Sequence, residues 1–282
     1  MLKKFSIITP CFNAEKYIEE TVRSVIEQTV ILSKKAELEY IICDGNSSDR
    51  TVEVVESIKC HYKCDFIKII SEPDLGMYDA LSKGLKLASG DIVAYINAGD
   101  YYNKHAFDVV LEVIESEKAN WLTGYNVFYN EKSQIVEVTL PFKYRKELFA
   151  CGYYGMGLPN VQQESTFWSS SLNNLIDYDY LSKLKYAGDF YLWLQFSKAC
   201  DLKIVKSYIG GFKFHGEQLS STMVGNLNAY QVEMRSMVAK PKVHQLALAV
   251  IDRILWSAPY KVKKSFNKNG ILSYEESLQQ WM

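Results

Sequence analysis

The chain reads as an α/β protein built on a mostly parallel sheet flanked by helices. Three observations predict this class. Apolar runs of strand length alternate with amphipathic helical segments from Phe5 to Ile96. The run Ile92, Val93, Ala94, Tyr95, Ile96 is nearly continuous in apolar character, as a strand covered on both faces must be. Asp44 and the group Asn97-Ala98-Gly99-Asp100 fall just after two such runs, where open α/β sheets place their ligands.

Taken in order, Phe5 to Thr9 is the first strand, ended by Pro10. Asn13 is placed to cap the next helix, with Glu15, Glu19 and Glu20 near its positive end. Tyr17, Ile18, Thr21, Val22, Val25 and Ile26 give that helix its buried stripe. Leu38 to Cys43 is the second strand, followed by Asp44-Gly45-Asn46-Ser47-Ser48-Asp49, a dense turn signal. A helix from Thr51, a strand from Phe66 to Ile70, a helix from Tyr78 to Ala88 and a strand from Asp91 to Ile96 complete a βαβαβαβ order. Gly90 sits where a left-handed C-cap would end the last helix.

Beyond Asp100 the rhythm changes. Ala106 to Ile114 reads as helix, and Trp121 to Tyr129 with Gln134 to Thr139 as an antiparallel pair. Phe142 to Asn160 is rich in aromatics and glycine and suits a binding loop better than a core element. Asp189 to Ala199 returns to helix and Lys203 to Phe214 to strand; helices over 226–240 and 242–256 follow. There is no internal repeat.

Composition bounds the function. A net charge of -1, from 32 basic and 33 acidic residues, excludes a general nucleic-acid binder. The start MLKKFSIITP is basic and then apolar, but its apolar run is too short for a signal peptide and reads as the first strand. No run of about 18 apolar residues exists to span a membrane. The scatter of six cysteines suggests reduced thiols in a cytosol, and Cys60, His61 and Cys64 lack a second pair of ligands for a metal.

Four segments in order resemble the inverting glycosyltransferases of family 2, which have the GT-A fold, over about the first 220 residues. They are IITPCFNAEKYIEETVRSVIEQT, EYIICDGNSSDRTVEVVE, the run SEPDLGMYDALSKGLKLASGDIVAYINAGD, and Ala187-Gly188-Asp189-Phe190-Tyr191-Leu192-Trp193. The resemblance implies a catalytic domain over 1–220, with a nucleotide-sugar half at 1–100 and an acceptor half at 101–220, and a C-terminal helical extension over 221–282. It implies transfer of a sugar from a nucleoside diphosphate to a hydroxyl of a glycan or lipid-linked acceptor, in surface polysaccharide synthesis in the cytoplasm.

Residue by residue, Thr9, Pro10, Phe12 and Asn13 would line the nucleotide, and Asp44 would accept a hydrogen bond from base or ribose. The family often carries a second aspartate where this chain has Gly45. Asp74 and Asp79 flank a loop that faces the nucleotide, with capping or solvation as the alternative for either, and Asn97 completes the nucleotide set. Asp100 would ligate Mn²⁺ or Mg²⁺, although Gly99 replaces an acid common in relatives; His215 resembles a histidine that reaches the metal or diphosphate. Gln163 and Glu164 fall in a segment beneath the acceptor. Asp189, preceded by a flexible glycine, would be the general base, and from spacing alone it is equally an N-cap. A catalytically silent glycan- or nucleotide-binding protein is the alternative function.

The last helix carries Leu246, Val250, Arg253 and Ile254 at helical spacing, Trp256 at its end, and Lys261, Lys263, Lys264 and Lys268 just after. That pattern suits a helix lying on the inner membrane face; packing on the catalytic domain or forming a homodimer are the other fates of so broad an apolar stripe.

Overall fold

The computed structural model describes residues 2–116, 118–214 and 223–282, the last group from residue 229 onward in its side chains. The first half runs β1 (Lys4–Cys11), α1 (Ile18–Ile26), α2 (Thr29–Leu32), β2 (Glu37–Asp44), α3 (Thr51–Tyr62), β3 (Ile67–Ser71), α4 (Met77–Leu87) and β4 (Ile92–Tyr95). β1 is the hub. It pairs in parallel with β2 on one side and with β4 on the other, and β3 joins β2 in parallel. The expected βαβαβαβ order is therefore the observed one. The carboxyl ends of these strands meet along one edge, so Cys11, Asp44, Ser71 and the residues after Tyr95 arrive together.

Three local expectations are corrected. Pro10 lies inside β1 rather than ending it, and Cys11 continues the ladder opposite Asp44. Asn13 does not cap α1, which starts five residues later; it has φ +48°, and its Oδ1 accepts from Ser48 N at 2.9 Å. Gly90 is not a left-handed cap either. A Cβ there would come within 2.6 Å of the Lys4 carbonyl oxygen, so close backbone approach is what requires glycine.

The second half builds outward from the same sheet. It comprises β5 (Tyr101–Tyr102), α5 (Ala106–Glu115), β6 (Trp121–Thr123), β7 (Asn126–Tyr129), β8 (Ile135–Thr139), α6 (Lys146–Phe149), β9 (Phe167–Ser169), α7 (Tyr178–Leu181), α8 (Gly188–Phe196), β10 (Lys203–Val205) and β11 (Gly210–Lys213). α9 (Met223–Ser236), α10 (Val243–Trp256), α11 (Tyr260–Phe266) and β12 (Ile271–Leu272) follow. Among the described residues the main sheet has the order β12-β10-β6-β9-β4-β1-β2-β3, with β9 antiparallel to both neighbours. A smaller sheet, β5-β11-β7-β8, crosses the carboxyl edge. The two long strands expected at 121–129 and 203–214 each break in two, because one part stays in the main sheet and the other joins the small one.

Phe142 to Asn160 proves to be core, not a binding loop. Phe142, Tyr144, Leu148, Phe149, Cys151, Tyr154 and Leu158 are all buried, and the Phe149 and Tyr154 ring centroids lie 4.7 Å apart. Trp256 belongs to the same cluster, edge-on to Tyr144 at 5.3 Å, so it does not mark a membrane interface. The C-terminal residues likewise do more than extend as helices, since β12 pairs with β10 and becomes the edge of the main sheet.

α10 is pinned by a buried ion pair. Arg145 Nε and Nη2 donate to the Asp252 carboxylate at 2.7 and 2.8 Å, and Asp252 has no exposed surface. Breaking such a pair strands a buried charge, which is costlier than never having had one. Arg145→Met should therefore destabilise the protein by about 3–5 kcal/mol in urea unfolding, and adding Asp252→Leu should restore much of the loss.

Candidate functional site

The edge where β1, β2 and β4 end is shaped first by two interlocked loops. Asn13 N donates to Ser47 Oγ at 2.8 Å, Ala14 N to Thr51 Oγ1 at 2.7 Å, and Gly45 N to the Cys11 carbonyl at 2.9 Å. Thr9 is fully buried with its hydroxyl 3.0 Å from Tyr40 OH. Phe12, by contrast, is 63% exposed in the loop after β1.

Asp44 is fully engaged within the loop. Its carboxylate accepts from Ser71 Oγ at 2.6 Å, from Ser47 N at 3.0 Å and from the Ser47 hydroxyl. It holds the loop's shape. Asp74 is placed differently. A Cβ on Gly45 would lie 2.6 Å from Asp74 Oδ2, so the Asp74 carboxylate covers the ground a side chain at 45 would take. Its other oxygen accepts from Gly76 N at 2.8 Å. Asp79 caps its own turn, accepting from Leu75 N at 3.0 Å and pairing with Lys83 at 3.6 Å.

After β4 the chain turns sharply. Gly99 adopts φ +107°, a conformation that disfavours any side chain, and Thr21 Oγ1 accepts from Gly99 N at 2.9 Å while donating to the Asp100 carbonyl at 2.7 Å. Asp100 is thereby turned inward and is only 2% exposed. Its Oδ1 accepts from Lys213 N at 2.9 Å, on β11. Asn97 donates from Nδ2 to Gln163 Oε1 at 3.3 Å, and its own Oδ1 is buried without a partner. Gln163 also donates to the Tyr95 carbonyl, so both ends of its amide serve to hold the loop that follows β4.

Three carboxylates converge here. Asp100 is held well above the usual carboxylate range, first by burial and then by repulsion from Glu164. Glu164 lies in a short 3₁₀ turn, Gln163–Ser165, and is pushed up to about 7, first by burial and then by Asp189, against the pull of a backbone N–H. Asp189, in the first turn of α8, is raised to about 6 by burial, with Phe190 N and Tyr78 OH opposing the shift. Glu164 therefore stands electrostatically between Asp100 and Asp189. The sequence placed Glu164 beneath an acceptor, with no sign that it bridges the other two.

Asp189 is not an N-cap, since Ala187 holds that position and no side-chain capping bond forms. Nor is Gly188 there for flexibility. A Cβ on it would lie 2.3 Å from the Tyr78 ring, which lies close against the helix start. Tyr78 OH donates to the Tyr186 carbonyl at 3.1 Å and reaches Asp189 Oδ1 at 3.5 Å. From α9, the Glu233 carboxylate accepts three successive backbone N–H groups, of Lys185, Tyr186 and Ala187, at 2.9, 2.8 and 2.7 Å. Tyr78 and Glu233 escaped the sequence reading: no local signal links position 233 to position 189.

An oxygen-only set of Asp100, Glu164 and the orphaned Asn97 Oδ1 has the chemistry that Mn²⁺ or Mg²⁺ prefers. Among the described residues no group of three or more His, Cys, Asp or Glu could hold an ion unaided, so ligand oxygens would have to complete the shell. His215 lies outside the described residues.

The profile of the Glycosyl transferase family 2 matches residues 6–158, more than half of the chain, and the chain belongs to that family. It is a sugar-transferring enzyme with the GT-A architecture. In sequence it is 28% identical over 196 residues to the Escherichia coli UDP-Glc:alpha-D-GlcNAc-diphosphoundecaprenol beta-1,3-glucosyltransferase WfgD, covering 68% of this chain and 69% of that one. It is 24% identical over 194 residues to the chondroitin synthase of Escherichia coli, of which it spans only 27%. In structure it resembles Staphylococcus aureus TarS 1–349 in complex with UDP-GlcNAc, with a TM-score of 0.59 and 18% identity, over 94% of this chain and 72% of that one.

The raised pKa of Asp189 has a consequence for stability. Its folded value, about 6, exceeds the ordinary 3.8, so the folded chain holds the proton more tightly than the unfolded chain. Stability from this group is full below pH ~4 and is lost as pH rises through 6. Asp189→Asn should then be more stable than the native chain at pH 8, by on the order of 2 kcal/mol, with the gap closing towards pH 4 in urea unfolding.

Proposed function

We propose that this protein transfers a sugar, with inversion at the anomeric carbon, from a nucleoside diphosphate sugar to a hydroxyl of a glycan or lipid-linked acceptor in surface polysaccharide synthesis. The observation that carries the reading is Asp189. It is a half-buried carboxylate poised near neutral pH at a helix start, separated by Glu164 from the buried Asp100. The similarity to WfgD and to TarS bound to UDP-GlcNAc or UDP supports a uridine nucleotide as donor.

The nucleotide would lie over the interlocked loops after β1 and β2, with the exposed Phe12 ring available to stack on the base. Asp74 stands where the second aspartate common in relatives is missing, and it offers the acceptor oxygens for the base's N–H. Asp44 keeps the loop in shape for that contact. The diphosphate would extend towards Asp100 and Asn97, which with Glu164 would hold Mn²⁺ or Mg²⁺. When bound, that ion would offset the negative charge growing on the departing diphosphate.

Asp189 takes the acceptor hydroxyl's proton as the new bond forms. Its affinity for that proton, near pH 6, lets it be ionised at neutral pH yet still act as a base. Tyr78 and Glu233 hold it in place, one at the side chain and the other at the three peptides leading into α8. With one base on the acceptor side and no second carboxylate needed as nucleophile, displacement is direct and the anomeric centre inverts.

Asp189→Asn should lower turnover by about 10²–10⁴ while leaving UDP affinity in calorimetry unchanged. In the native enzyme kcat should rise with pH through about 6 and level off above 7. Near-normal turnover in the variant would remove Asp189 from the reaction. Intact UDP binding with no turnover of any nucleotide sugar by the native chain would leave a binding protein instead.

Asp100→Ala should do the reverse, abolishing the gain in UDP affinity that Mn²⁺ confers. Calorimetry with and without the ion checks this, and an undiminished gain would exclude Asp100 as a ligand. Glu233→Ala should lower kcat by roughly tenfold with KM for the donor unchanged, since it touches only the peptides before Asp189.

A further inference from the structure

α10 has two faces of opposite fate. Ala249, Asp252 and Trp256 are buried against the catalytic body, and Gln245 Nε2 donates to the Glu147 carbonyl at 2.8 Å. Val243, Leu246, Ala247, Val250, Ile251 and Ile254 face away, and all six are exposed, Val243 by 84% and Ile254 by 69%. At 100° per residue these six fall within one continuous arc of about 140° that carries no polar side chain. Phe266, at the end of α11, adds a further exposed ring. Exposed apolar surface of this extent and order marks a contact.

The charge around the stripe identifies the occupant. Residues 240–268 contain seven Lys and Arg but one acid, Asp252, in a chain whose net charge is -1. Asp252 is buried against Arg145 and contributes no outward charge. Lys263 and Lys264 turn inward, donating to the carbonyls of Leu140 and Ile271. Lys240 and Lys242 just before the helix core, Arg253 on it, and Lys261 and Lys268 in the segment after it remain exposed. Two copies joined symmetrically through this face would bring like charges together, whereas an anionic surface would neutralise them. The helix has 14 residues, so at 1.5 Å per residue it is about 21 Å long and lies along a membrane without crossing it. No helix among the described residues is long and apolar enough to cross one.

We propose that the outer face of α10 seats the protein on a bilayer of anionic lipid, with Val243, Val250 and Ile254 entering the acyl boundary and the flanking lysines on the headgroups. The ion pair of Arg145 with Asp252 and the burial of Trp256 make the anchor rigid with respect to the catalytic body. The seat is thus a fixed orientation rather than a tether.

Flotation of the full chain with phosphatidylglycerol vesicles and, separately, with phosphatidylcholine vesicles tests this. The native chain should float with the first and not with the second, and added salt should weaken the binding. Val250→Glu/Ile254→Glu should lower affinity at least tenfold, by removing apolar burial. Lys240→Glu/Lys261→Glu/Lys268→Glu should lower it by about a hundredfold, from roughly fivefold for each lost cation. Unchanged thermal melts would show that both variants fold, as their exposed positions require. Failure of the native chain to float, equal recovery on the two lipids, or full binding by the Val250→Glu/Ile254→Glu variant would overturn the proposal. So would a concentration-dependent dimer in light scattering that this variant abolishes, which would assign the face to a second copy.

Discussion

Much of this structure depends on keeping two buried carboxylates, Asp100 and Glu164, and a half-buried one, Asp189, within each other's electrostatic reach. Glu164 is repelled by Asp189 and in turn repels Asp100, and burial raises the proton affinity of each of the three. Such an arrangement costs stability and persists only if the surrounding chain over-determines it. Backbone and polar side chains share the restraint: Lys213 N on Asp100, the Gly99 turn fastened by the Thr21 hydroxyl, and the Gln163 side-chain amide bridging Asn97 and Tyr95. Even the strand beside Glu164 is fitted to it, because a Cβ on Gly210 would lie 2.0 Å from the Glu164 carbonyl oxygen.

The two halves of the molecule divide the work accordingly. The parallel half presents loops whose carboxylates are mostly satisfied internally, as in the contacts of Asp44 with Ser47 and Ser71 and of Asp79 with Leu75. It offers shape and a few free oxygens. The second half supplies the groups whose charge is out of balance. Glu164 and Asp189 come from it, and the small sheet brings Lys213 across the edge to meet Asp100. Residues far along the chain then finish the site, as Glu233 does for the peptides before Asp189.

The aromatic segment after Phe142 shows how composition can mislead. Glycine and tyrosine in alternation look like a flexible recognition loop. Here the glycines instead let the chain fold back so that Tyr144, Phe149 and Tyr154 pack on one another and receive Trp256. The same packing decides the outlook of α10. Once Trp256 and Asp252 are committed inward, helical periodicity leaves the Val243, Val250 and Ile254 stripe facing out.

Periodicity and turn chemistry were enough to read the order of β1 to β4, their parallel pairing and the arrival of Asp44 and Asp100 at one edge, because these are local signals summed along the chain. The motif around Asp189 also stood out, since a helix start with a carboxylate is written in adjacent residues. What the sequence could not show was which side chains are already spent. Asn13, Asp44 and Gln163 carry oxygens in suggestive places, yet Ser48, Ser71 and Asn97, which engage them, lie 35, 27 and 66 residues away in the chain. Glu164 gains its part from the two carboxylates it meets in space, and Glu233 from peptides 46 to 48 residues earlier. Hydrogen-bond partnership, burial and the electrostatic field are properties of distance in space, and only the tertiary structure sets those distances.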